Sequence, residues 1–260
     1  MNILYLPHGG GPLPLLGDPG HKEIVRFLAH VPPTLESPAA ILVISAHWEE
    51  DPVTVTGGAA PPLLYDYYGF PEESYRIQYP APGAPALAGE VSGMLQAAGI
   101  EARMDDERGF DHGVFVPLKI MYPAAQIPCV QLSLQAGLDP AQHLRIGRAL
   151  TGLRRRGLLI LGSGFSFHNL RAFFDPAGGA ADPRNEAVQN WLVETCTREG
   201  DQEKRERDLT AWEQAPFARY CHPREDHLLP LHVCAGIAGT AGRVVFDGPV
   251  LGKRSVAILW

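Results

Sequence analysis

The chain has 260 residues, of which 45% are hydrophobic and 20% charged, and a formal net charge of −7. These are the proportions of a soluble globular protein long enough to bury a sizeable core without staples. The acidic balance excludes nucleic acid as the main partner, and no apolar run approaches the roughly 20 residues of a membrane span.

The opening residues MNILYLP are predicted to enter a strand at once. No basic segment or apolar stretch of signal length precedes it, so a cytoplasmic location is expected. The strand delivers His8 at the head of HGGGP, where glycines let the backbone turn sharply and approach a ligand. A helix is expected over Lys22–His30. The run AAILVISAH then shows the unbroken apolar pattern of a strand covered on both faces, and it presents His47 of SAHW at its carboxyl end. In open α/β sheets that is where ligands bind.

Strands are expected at PVTVTG and GIEARM, with a helix over 85–98 between them. The proline- and glycine-rich stretches PPLLYDYYGFP and YPAPGAP read as surface loops. Asp111-His112-Gly113 introduces an apolar run from Val114. IPCVQLSL is a further strand, and a helix over 140–155 follows. The basic run Arg154-Arg155-Arg156 is expected to cap the end of a solvated helix. GLLILGSG is a strand whose glycines make room for His168 of FSFHN. Helices over 185–198 and 227–238 follow, the second with Asp226 as its cap. GRVVFDG and SVAILW are the last strands. The alternation predicts a single α/β domain spanning 1–260, with a central mixed sheet flanked by helices on both faces.

The four cysteines are widely spaced without a C-x-x-C pair, the usage of a reducing compartment. Among the ten histidines, His8, His47, His112, His168 and His227 stand at element ends. His21, His30, His143 and His222 read as solvated. His232 lies five residues beyond His227 and so points about 140° away on a helix. A convergent imidazole cluster suits Fe(II) or Zn(II) rather than Mg or Ca, which prefer oxygen. There is no H-E-x-x-H, no phosphate-loop lysine, and no G-x-S-x-G. LGSGFSF fails as a dinucleotide loop because Phe167 stands where the third glycine is needed.

The ordered motifs HGGGP, SAHW, YDYYGFP, YPAPGAPALA, GFDHGVFVPL, MYP, IPCVQLSL, GSGFSFHNL and HLLPLHV resemble those of the LigB-type extradiol ring-cleavage dioxygenases, and within them the 4,5-DOPA dioxygenase branch. The resemblance runs from Leu6 to about residue 238. It implies a non-haem Fe(II) enzyme that opens a substituted, DOPA-like or related catechol with O2 to a semialdehyde, on one α/β domain often assembled as a homo-oligomer. It places the metal on His8, His47 and His227, and the acid–base work on His168 and His112. Tyr67, Tyr68 and Phe70 are candidates for the wall of an aromatic pocket. Two departures stand out. HGGGP replaces the more usual HGSP, and His227 stands where more distant relatives carry a glutamate, with Glu225 and Asp226 beside it. A three-histidine site also holds zinc well, so Zn(II) and Fe(II) both remain open. The alternatives are a zinc-dependent hydrolase on the same histidines and a LigB-like binding module without activity; the latter has no need of all five histidines.

Overall fold

A computed structural model describes residues 2–155, 157–173 and 182–260. Eight strands form one mixed sheet: β1 (Asn2–Pro7), β2 (Ala40–Glu50), β3 (Val53–Thr56), β4 (Ala102–Asp105), β5 (Cys129–Gln135), β6 (Leu158–Gly164), β7 (Arg243–Val250) and β8 (Lys253–Leu259). Their spatial order is β4-β3-β5-β2-β6-β1-β8-β7. The four central strands β5, β2, β6 and β1 run parallel, so their carboxyl ends share one edge. β8 pairs antiparallel with β1, and β7 with β8.

Alternating side chains build a core on each face of the sheet, as the period of two requires. Leu42 and Ile44 of β2 join one core, together with α2 (Pro85–Ala97), α4 (Pro140–Ala149), α6 (Pro183–Thr197), α7 (Gln202–Thr210) and α9 (Leu229–Ala238). Ile41 and Val43 join the other, with Ile24 and Leu28 of α1 (Lys22–His30) and Val114, Phe115 and Leu118 of α3 (His112–Met121). Short helices α5 (Leu170–Phe173) and α8 (Ala218–Cys221) complete the helical set of the described residues. Aspartates start several helices: Asp139, Asp182 and Asp201 each accept a first-turn backbone N–H.

Three local expectations are corrected. The predicted helix over 140–155 stops at Ala149, and Arg154 caps a different, buried helix by donating to the Ala238 carbonyl at the end of α9, 3.0 Å away. Arg155 pairs with Glu90, and Arg156 lies outside the described residues. Asp226 does not cap α9, which begins at Leu229 with Pro230 in its first turn; its carboxylate accepts the N–H of His227 instead. His47 does not end its strand. β2 runs on to Glu50, but its register with β5 shifts between Ile44 and Glu49, and its pairing with β6 ends at Ser45. The bulge between them re-aims His47. No helix among the described residues is long and apolar enough to cross a membrane.

Candidate metal centre

His8, His47 and His227 are each fixed through their backbone. The His8 N–H extends the β1–β6 ladder to the Gly164 carbonyl at 3.1 Å. His47 donates its N–H to Ser45 Oγ, which donates in turn to the buried Asp111 carboxylate at 2.7 Å. The His227 carbonyl is gripped twice, by the Phe165 N–H at 2.9 Å and the Tyr5 hydroxyl at 3.1 Å. This grip explains Gly164. A Cβ there would stand 2.2 Å from the His227 carbonyl oxygen, so no other residue lets the chain pass.

The side chains then meet. His8 Nε2 lies 3.0 Å from His47 Nε2, which lies 3.3 Å from His227 Nε2. Behind each ring stands an oxygen facing Nδ1: Ser163 Oγ at 3.0 Å from His8, Asp66 Oδ2 at 3.6 Å from His47, and Asp226 Oδ1 at 3.1 Å from His227, the last out of line for a hydrogen bond. Ser163 donates its own proton to the Gly113 carbonyl, so towards His8 it can only accept. His8 therefore carries its proton on Nδ1 and turns a bare Nε2 lone pair into the cluster. Two ligand nitrogens about 2.0–2.1 Å from one metal lie roughly 3 Å apart. The spacing and the oxygens behind the rings both fit a divalent cation.

His112 and His168 flank this group. His112 opens α3 with its N–H and its Nδ1 both on Asp66 Oδ1, at 3.0 and 2.8 Å, and its ring sits 3.9 Å from that of His47. His168 stacks on His227, centroids 3.4 Å apart, with Nδ1 3.9 Å from Asp226 Oδ1. Ligand-capable atoms thus fall into two adjoining groups, His8–His47–His112 and His168–Asp226–His227, joined by the His47–His227 contact. Burial, then the surrounding imidazoles, push the His8 and His47 pKa values well below the ordinary histidine value, and His168 follows for the same reasons. Asp66 is pushed up by burial, but the bonds from His112 outweigh this and hold it below the usual carboxylate value. The five rings open onto a cavity of about 550 Å3, whose lining includes Tyr67, Tyr68 and Phe70.

The family described as the catalytic LigB subunit of aromatic ring-opening dioxygenase matches residues 16–252. The chain belongs to the LigB family. It is 44% identical over 251 residues to the dioxygenase tasH of Hapsidospora irregularis, covering 91% of this chain and 78% of that one. Against the 4,5-DOPA dioxygenase extradiol of Beta vulgaris the identity is 38%, over 90% of this chain and 86% of the relative. Against that of Escherichia coli (strain K12) it is 35%, covering 89% and 83%. The crystal structure of an uncharacterized protein from Escherichia coli K12 superposes with a TM-score of 0.80 at 31% identity, covering 99% of this chain and 98% of that one.

Within the LigB match lie His47, His112, His168 and His227, while His8 precedes it. Other residues of this cluster escape a reading of motifs. Asp66 stands inside YDYYGFP, where the aromatic residues draw attention away from it. Ser163 is the single small residue between Gly162 and Gly164. His21, expected to be solvated, is buried beneath the HGGGP loop: its Nε2 accepts the Gly10 N–H at 2.9 Å while Asp18 holds Nδ1 at 2.8 Å. His143 and His222 are also fully buried, because each exchanges hydrogen bonds with backbone that water would otherwise satisfy. Only His30 of that set is exposed.

Proposed function

We propose that this LigB-family protein is an extradiol dioxygenase that opens a substituted catechol beside its two hydroxyls, consuming O2 and giving a semialdehyde. In this reading His8, His47 and His227 hold a divalent metal, Fe(II) in the working enzyme. The observation that carries it is the convergence of three Nε2 atoms, each ring with an oxygen behind its Nδ1. A bound metal supplies positive charge that lowers the pKa of a coordinated catechol hydroxyl and brings substrate and O2 to one centre.

The protein's own groups do the rest. His168, held neutral by burial, takes a catechol proton and returns it to the opening ring. His112 donates its Nδ1–H to Asp66, which leaves its Nε2 to meet a substrate hydroxyl. Tyr67 has its hydroxyl tied to the Ser74 carbonyl at 2.7 Å and offers the cavity an aromatic face. The apolar wall orients the ring, a proximity effect worth several kcal/mol.

The test is anaerobic loading with Fe(II) or Zn(II), followed by oxygen uptake and mass spectrometry under labelled O2 across a catechol panel. One O2 per ring, with both atoms in a semialdehyde, is expected from the iron-loaded protein. A muconic diacid, or no uptake, refutes the reading. Oxygen-independent hydrolysis by the zinc-loaded protein would favour a hydrolase. Zinc in a purified sample would be a replacement, since raw affinity favours it over Fe(II).

A further inference from the structure

The identity of the ring substituent is written on the outer wall of the cavity; the argument rests on the ring-cleavage reading above and narrows it. At about 550 Å3 the cavity has room for a substituted ring. Beyond the histidines its wall is carried by Leu13, Phe70, Phe165, Leu170, Phe173 and Leu251. Among the described lining residues there is no lysine or arginine, and the one carboxylate, Asp66, is engaged by His112. The sequence of residues 174–181, FDPAGGAA, contains no cation and one carboxylate, Asp175. Arg171 and Arg224 line a neighbouring cavity that shares His168 and Leu170, and Arg224 is bound to Glu49 at 2.6 Å and to Asp226 at 3.3 Å.

Leu251 makes the second observation. It sits in the two-residue turn between β7 and β8 with φ of +52°, followed by Gly252 at +74°. Turns of that shape favour asparagine or aspartate before the glycine, because a leucine Cβ is crowded there. The leucine is held by tertiary contacts. Its N–H donates to the Gly20 carbonyl at 2.9 Å, and its two methyls lie 3.3 and 3.2 Å from where a Cβ on Gly10 or Gly20 would stand. Its side chain therefore packs over the glycine loop behind His8 and faces the cavity. A leucine held in that turn places an apolar side chain on this wall.

We propose that this wall recognises an uncharged apolar group, so that the substrate is a catechol bearing an alkyl or aryl substituent, with Leu251 and Leu170 as specificity-determining residues. A carboxylate or ammonium placed against this wall would give up hydration without gaining a counter-charge from its described lining. The series 4-ethylcatechol, dopamine and 3,4-dihydroxyphenylacetate, together with DOPA, tests this. Binding to the zinc-loaded protein is measured by calorimetry, and kcat/KM with the Fe(II)-loaded protein by oxygen uptake. 4-Ethylcatechol is expected to lead each charged analogue by about 10-fold or more in both, the range one misplaced group commands in such a pocket. Leu170→Arg should shift the ratio towards 3,4-dihydroxyphenylacetate by about 10-fold. Equal or tighter binding of DOPA, dopamine or the carboxylate overturns the proposal and leaves ring cleavage standing; if Arg171→Ala abolishes that binding, the subsite is an anion site. Failure of all four to bind or to drive oxygen uptake overturns the ring-cleavage reading, and this proposal with it.

Discussion

A histidine lends a lone pair only from a ring nitrogen that carries no proton, so the group behind each ring decides what its front can do. Asp66 serves two rings at once, accepting from His112 at 2.8 Å and standing 3.6 Å from His47 Nδ1. It touches no reacting atom in the proposed chemistry and acts as a positioning residue. Asp66→Asn keeps an oxygen for one histidine but turns an NH2 donor towards the other. Metal affinity, read by competition with a chromophoric chelator, should fall by about 10- to 100-fold. Unchanged affinity would show that His47 needs no partner. His168→Ala is expected to do the opposite: metal content intact, turnover reduced by roughly 100-fold or more. Loss of metal from that variant would make His168 a ligand.

At the scale of elements, the state of His8 is set by a proline two elements away. Pro117 lies inside α3, where it has no N–H to give to the Gly113 carbonyl four residues back. That carbonyl accepts the Ser163 hydroxyl from β6, and Ser163 in turn accepts His8 Nδ1–H at the end of β1. One helix and two strands thus fix one tautomer. Ser163→Ala leaves a buried N–H without an acceptor while removing a single oxygen. The variant should fold, with its metal affinity lowered by about 10- to 100-fold. Equal affinities in chelator competition would mean that the Nε2 lone pair is set by some other contact.

On the scale of the whole molecule, buried histidines outside the cluster add to the loss of stability in acid. His143 gives its Nδ1 proton to the Asp139 carbonyl and accepts the Gln135 N–H on Nε2; His222 donates to Ser166 and keeps a buried, unpartnered Nδ1. Burial lowers both pKa values to about 4. In the unfolded chain each takes a proton near pH 6.5, so the unfolded state binds more protons between pH 6.5 and 4. Stability is therefore full above about pH 6.5 and is lost as the pH falls towards 4, by up to about 3 kcal/mol for each group. Tm should drop steadily across that window, and His143→Gln should make the fall shallower. A Tm that stays level from pH 7 to 4.5 would contradict the assignment of neutral buried rings.

Sheet and helix order were legible in the chain itself, because period-two and amphipathic patterns are local and strong. β1 falls on the predicted NILYLP, and α1 on the predicted Lys22–His30. The five histidines stood out as candidates too, since each lies beside such a pattern, although His47 falls inside β2 rather than at its end. Their proposed division into ligands and acid–base groups came from likeness to a family, and no spacing in the chain supplies it. What only the tertiary structure decided lies between residues far apart. His47 meets His8 across 39 positions and His227 across 180, and Asp66 meets His112 across 46. The burial of His21, His143 and His222 belongs to the same class, for a polar residue enters a core whenever the surrounding backbone satisfies it. Local pattern says which face a residue turns to; only the packed sheet, with its bulge at His47 and its proline-freed carbonyl at Gly113, says which atoms meet there.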